Sequence, residues 1–157
     1  MKMMMMTSVM KTILIMGLPD SGKTTLSQTI KDAYNGTLFT LNADEVRAAA
    51  NEGTGDWDFS EEGRIRQAKR MASLVKEVSI SNKENDFIIV DFICPTKETR
   101  KLFNADITIW MDTVKECQFE DTNQMFEPPS EDEVDYHILT QDAEFWAEVV
   151  IKGIHER

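Results

Sequence analysis

Cysteine is scarce in this 157-residue chain: only Cys94 and Cys117 occur. Neither sits in a CxxC spacing or beside a histidine, so the sequence supports no disulfide framework and no zinc site, and a reducing, cytoplasmic setting is expected. Long apolar runs are also missing. Nothing approaches the roughly 20 residues that a membrane-spanning helix needs, so no membrane partner is expected. Positive charge is in short supply, with 17 Lys and Arg against 28 Asp and Glu and a net charge of -11. Affinity for a phosphate backbone comes from clustered cations, and the balance here argues against nucleic acid as a partner. No repeat, linker or low-complexity stretch interrupts the chain beyond MKMMMMTSVMK at its start. That opening lacks both a long leucine-rich centre and a small-residue cleavage site. Residues 1–9 are expected to be a flexible leader and residues 10–157 one domain, a length that suits a single core.

Apolar runs of strand length alternate with segments of helical period, the pattern of an α/β protein. Strands are expected at 12–16 (TILIM), 37–41, 86–92 (DFIIVDF), 106–112 (DITIWMD) and 134–139. The first is β-branched and apolar throughout, as a strand buried on both faces requires. A helix from Lys23 carries Leu26, Ile30 and Ala33 on one face and stops near Asn35-Gly36. A short helical stretch at 46–50 precedes a loop at 51–58. Ser60 is placed to cap a long helix with Glu61 and Glu62 in its first turn and Ile65, Ala68, Ala72 and Val75 on its apolar face. Pro95 suits the first turn of the next helix. A helix is expected at 114–119, then an irregular acidic loop at 120–133. The last helix packs by Ala143, Trp146 and Val150. About five strands in one parallel sheet with helices on both faces make a three-layer architecture.

Charge is unevenly spread. Residues 112–148 carry twelve acids and one base, Lys115, whereas 60–70 carries Arg64, Arg66, Lys69 and Arg70 against two acids. An anionic ligand is expected to meet the first half of the chain.

Between the first strand and its helix stands Gly17-Leu18-Pro19-Asp20-Ser21-Gly22-Lys23-Thr24, followed by Thr25. Gly-x-x-x-x-Gly-Lys-Thr between a strand and a helix is the phosphate-binding loop, or P-loop. Its glycines let consecutive backbone N–H groups curl around a triphosphate, and the helix dipole adds positive potential. Lys23 is expected to bridge the terminal phosphates of ATP, with the Thr24 hydroxyl on a magnesium ion. Asp20 places a carboxylate in this loop, and its side chain is expected to point into solvent. Asp91 closes the third strand, where an acid either holds a magnesium-bound water or caps the next turn. Asp44, after the second strand, lies at the sheet edge where open α/β folds bind ligands. It is the candidate base for an acceptor hydroxyl, a helix N-cap being the alternative. Arg47 and Arg64 are the cations best placed for a small anionic acceptor, with a solvated helix face as the other reading. For Arg66, Lys69 and Arg70 the solvated face is the preferred reading. Phe59 and Phe92 are candidates for stacking on a base or for the core. Met125 and Phe126 read as lid or packing residues, and His137 and His155 show no partner spacing.

Over residues 10–125 these segments resemble the adenylylsulfate (APS) kinases. GLPDSGKTTL is similar to that family's phosphate loop, LNADEVR to its LDGDxxR, DFSEEGR with RQAKR to its GFSxxDR helix, and DFICPTKETR to its SFISPYRxxR. The resemblance implies that Asp44 and Arg47 face the acceptor, that Phe59 and Arg64 contact its adenylyl group, and that Phe92, Ile93 and Cys94 line its pocket. It also implies a kinase using ATP and Mg2+. The chain departs from the family at Ala43, Gly63, Gln67 and Thr96-Lys97, and most of all in the lid. There the family's RDPKGLY appears as Glu120-Asp-Thr-Asn-Gln-Met-Phe126, without its arginine or lysine. Two functions remain: a phosphotransferase for a nucleotide-like or sugar acceptor, or a nucleotide-binding module with little transfer. Oligomeric state is left open, homodimer included.

Overall fold

The computed structural model describes residues 10–50 and 54–155. The leader expected at 1–9 lies outside them. Strand β1 (Lys11–Met16) is the centre of the sheet, paired in parallel with β3 (Phe87–Asp91) on one side and β4 (Ile107–Met111) on the other. Outside these lie β2 (Leu38–Asn42) and β5 (Tyr136–Ile138), giving the order β2-β3-β1-β4-β5, parallel throughout.

A parallel sheet must be apolar on both faces, because its crossover helices cover both. Alternation along β1 divides the work. Ile13 and Ile15 belong to a core with Leu26 and Ile30 of α1 (Lys23–Ala33) and Val150 and Ile154 of α6 (Ala143–His155). Leu14 and Met16 join the opposite core, with Ala68 and Met71 of α3 (Glu61–Ser81) and Phe103 of α4 (Lys97–Phe103). Each such Val, Leu, Ile, Met or Phe side chain withdrawn from water stabilises the fold by about 1.5–3 kcal/mol. No helix among the described residues is long and apolar enough to cross a membrane.

The departures from expectation have local causes. Helix α2 spans Ala43–Ala49 and follows β2 without a loop, because the Asn42 side chain accepts from Glu45 N–H at 3.0 Å and caps it. Asp44 is therefore in the first turn and is not the cap. The buried stripe of α3 is Arg64, Gln67, Ala68 and Met71, while Ile65 is half-exposed. Polar residues displace apolar ones there because that part of the helix faces a cavity. Ala33 is exposed as α1 ends, and Ala147 and Ile154 join Val150 in the buried face of α6. Pro95 precedes α4; Thr96 is its cap, in a reciprocal capping box with Thr99.

The helix expected at 114–119 is absent. A short α5 (Glu120–Met125) stands instead within the stretch read as a loop. Asn123 explains the shift: its side chain accepts from Cys117 N–H at 2.7 Å and donates to Cys117 C=O at 2.8 Å, folding residues 117–119 back as a turn. Glu120 and Asp121 then occupy the first turn, where the helix dipole favours acids.

His137, paired in register with Trp110, stacks on that indole at 4.2 Å between ring centroids and 6° between planes. Its nitrogens meet Asp112 Oδ2 at 2.9 Å and Glu131 Oε1 at 2.5 Å. Burial pushes the imidazole pKa down, but the two carboxylates outweigh it and hold the value above the usual 6.5. The stabilisation is thus complete below pH 6.5 and lost as pH rises through the folded value. In urea titrations at pH 6 and pH 8 the wild-type midpoint is expected to be higher at pH 6, and His137→Gln to shrink that difference; an unchanged difference in the variant would remove the assignment.

Candidate functional site

Where β1 ends, the backbone has room for no side chain. A Cβ on Gly17 would lie 2.5 Å from the Met111 carbonyl oxygen, and Gly17 and Gly22 adopt φ of 150° and 99°. Gly22 leads directly into α1 with no side-chain cap, leaving the first N–H groups of the helix without intrahelical partners. The loop is braced from outside. Thr113 Oγ1 donates to Ser21 C=O at 2.7 Å, and Gln141 Nε2 donates to Asp20 C=O at 3.0 Å. Asp20 is exposed, as expected, and takes a left-handed φ of 68° at the cavity rim. Lys23 Nζ donates to Leu18 C=O at 2.8 Å. Burial lowers its pKa to about 8, against the opposing pull of Asp91, Asp44 and Asp20.

Three chain segments converge beside that lysine. Thr24 Oγ1 donates to Asp91 Oδ2 at 2.7 Å, and Asn42 Nδ2 donates to the same oxygen at 3.0 Å. Asp91 is 4% exposed, and burial raises its pKa despite these bonds. A hydroxyl and a carboxylate oxygen at the mouth of a phosphate loop form a hard donor set of the kind that suits a magnesium ion sharing its shell with water and phosphate.

Across a cavity of about 860 Å³, lined by Lys23 and Thr24 on one side, lie Asp44, Arg47, Phe59 and Arg64. Arg47 and Arg64 are 3% and 5% exposed, and their guanidinium carbons lie 4.8 and 5.0 Å from the centre of the same Phe59 ring. Arg47 donates to the carbonyls of Asp56 and Asp58, and Arg64 to the Thr122 hydroxyl at 2.8 Å. Among the described residues neither is ion-paired with a carboxylate, and Arg64 Nε is buried without a hydrogen-bond partner. Burial, reinforced by the neighbouring Arg47 charge, lowers the Arg64 pKa to about 10.

The same wall carries Phe92, Ile93 and Cys94. Cys94 is fully buried with φ 48°, and burial pushes its thiol up to about 12, which disfavours the thiolate. Every acceptor-side residue expected from sequence therefore lines one cavity. Of the phosphate loop, Pro19, Asp20 and Gly22 to Thr25 reach the wall, while Gly17, Leu18 and Ser21 are buried beneath it. Phe126 packs against the core. Arg66 and Arg70, read as a solvated face, are ion-paired with Asp56. Asp121 and Thr122, from the segment that stands in the lid's place, also line the cavity, as do Trp57 and Phe119, which no periodicity or spacing marks. Asn42 carried a legible signal, the Asn-x-x-Glu of a helix cap.

A model of the adenylylsulphate kinase family matches residues 9–135. A protein of Aeropyrum pernix described as a probable adenylyl-sulfate kinase is 30% identical over 89 residues, 55% of this chain and 45% of that protein. The chain thus aligns with less than half of that relative's length. Among solved structures, the Mycobacterium tuberculosis APS kinase CysC in complex with AMPPNP and APS superposes with a TM-score of 0.73 at 17% identity, covering 93% of this chain and 98% of that one. Shikimate kinase from Acinetobacter baumannii, in complex with shikimate, gives 0.60 at 16% identity, covering 95% of each chain. Both are likenesses of fold. The family match runs from the strand before the phosphate loop to beyond α5, and on that extent the chain belongs to the adenylylsulphate kinase family.

Proposed function

We propose that this protein is an ATP- and magnesium-dependent kinase that transfers the γ-phosphate to a hydroxyl of a small, anionic, nucleotide-like acceptor, adenylylsulfate foremost. The observation that carries this reading is the pair Arg47 and Arg64, two buried guanidinium groups on one aromatic ring, facing the phosphate loop across a single cavity. Charge withdrawn from water is costly unless a counter-charge meets it. Cation–π contact supplies about 0.5–2 kcal/mol each, well short of that cost. Asp44 offsets part of the charge on both arginines, with Asp56 and Asp58 acting on Arg47 as well, and an acceptor anion would supply the rest.

Within this reading Lys23 exchanges its bond to Leu18 C=O for the terminal phosphates. Thr24 and Asp91 would hold Mg2+, which neutralises charge on the transferring group when bound. Asp44, exposed on the first turn of α2, accepts the proton of the acceptor hydroxyl as its oxygen bonds to the γ-phosphorus. The bond from that phosphorus to the bridging oxygen breaks, and ADP leaves. A second reading, a nucleotide-binding module with little transfer, is favoured by Asp121 on the cavity wall and by a stretch from 116 to 126 that holds no Lys or Arg. ADP release with ATP, Mg2+ and a panel of adenylylsulfate, nucleosides and sugars separates the two: acceptor-dependent turnover supports the kinase, and tight ATP binding without turnover supports the module.

Lys23→Ala is expected to abolish triphosphate binding in calorimetry; retained affinity would remove the phosphate-site assignment. Because the Lys23 pKa is depressed to about 8 and a bound polyanion raises it, binding takes up a proton above that pH. ATP affinity is therefore expected to be level from pH 7 to about 8 and to fall above it by up to about tenfold per unit. A level profile to pH 9.5 would contradict the depressed value. Asp44→Asn is expected to leave ATP affinity unchanged and to lower turnover by about 10²- to 10⁴-fold; full turnover in that variant would exclude Asp44 as the base.

A further inference from the structure

The loop ahead of α3 is locked into the acceptor wall by a closed circuit. Asp56 is 6% exposed, and its carboxylate accepts from Arg70 Nη2 at 2.6 Å and from Arg66 Nε and Nη2 at 3.3 Å each. Arg66 reaches on to Asp58 Oδ2 at 2.8 Å, and Asp58 Oδ1 accepts from Ser60 N–H at 2.9 Å. The same two residues turn their carbonyls the other way. Arg47 Nη1 donates to Asp56 C=O at 3.0 Å and to Asp58 C=O at 3.3 Å, while Asp56 N–H donates back to Arg47 C=O at 3.0 Å.

Two further contacts close the circuit. Arg70 also bonds Gln67, whose Nε2 donates at 2.9 Å to the carbonyl of Ala43, the residue before Asp44. Gly63 leaves space for the loop, since a Cβ there would lie 2.0 Å from the Asp58 carbonyl oxygen. An exposed ion pair would contribute little. Asp56 is not exposed, and a buried carboxylate stripped of its partners is costly enough to give this loop one stable position.

We propose that Asp56 is a positioning residue for the acceptor: clamped to α3 by Arg66 and Arg70, it fixes the two carbonyls that aim the Arg47 guanidinium over Phe59. This rests on the reading above that Arg47 faces the acceptor. Asp56 itself does not line the cavity, so its effect runs through Arg47.

The test compares wild type, Asp56→Asn and Gly63→Ala, the second of which keeps the Asp56 carboxylate and its two arginines and displaces Asp58, whose carbonyl and carboxyl carbon both lie within 2.8 Å of the added Cβ. Steady-state kinetics with ATP and adenylylsulfate, or whichever panel acceptor turns over, are joined to amide hydrogen exchange. Both variants are expected to raise acceptor KM about tenfold or more, with ATP KM within about twofold and kcat within about threefold. Exchange over residues 54–60 is expected to speed up while residues 17–25 keep the wild-type rate. Unchanged acceptor KM in both variants, or an equal rise in both KM values, overturns the proposal. Should wild type turn over no acceptor, the kinase reading fails by itself and exchange decides the clamp: wild-type rates over 54–60 in both variants overturn it. Where Asp56→Asn yields no folded protein, Gly63→Ala alone carries these outcomes.

Discussion

A single carboxylate oxygen, Asp91 Oδ2, fixes the relation between the two walls of the cavity. It accepts from Thr24 at the start of α1 and from Asn42 at the end of β2, so two strand ends and one helix start share one atom as their point of reference. Asn42 at the same time caps α2, which carries Asp44 and Arg47. Movement of the phosphate loop relative to α2 would have to break this junction.

Around that junction the sequence builds two unlike surfaces. The phosphate side is almost wholly backbone: two glycines at positive φ, one of them with no room for a Cβ, N–H groups at a helix start, and one lysine. The acceptor side is built of side chains, with two arginines held by carbonyls, a hydroxyl and an aromatic ring. Main-chain donors recognise a polyphosphate whatever is attached to it, whereas side chains decide what else enters. Asp44 tempers the positive charge of both arginines, Asp121 shares the wall with them, and residues 116–126 add no Lys or Arg to it.

Legibility in the sequence followed the range of the forces involved. β1, β3 and β4 could be read to within a residue or two because a strand buried on both faces has few apolar alternatives. The phosphate loop could be read because its geometry demands particular residues at fixed spacing. Asp44, Arg47, Phe59, Arg64, Phe92, Ile93 and Cys94 could be placed on one wall through resemblance, since all but Phe59 lie just after a strand or in the first turns of a helix and Phe59 immediately precedes the cap of α3. The helix at 120–125 could not be read, because one asparagine side chain folding back on Cys117 decides it. Nor could the pairing of Arg66 and Arg70 with Asp56, which needs the loop and the helix to be seen together; a run of cations on a helix reads as solvated until a buried partner appears. Trp57 and Phe119 sit in irregular chain, where no period exists to mark a residue as facing inward.

The separation of the two walls bears on how such a protein can change over time. Residues 56–59, with the α3 positions that hold them, form a cassette whose replacement would alter which molecule is admitted while the glycine loop and Lys23 stay untouched. Under the proposed function, selection could retune substrate choice by editing one short segment, without touching the loop that would grip the nucleotide.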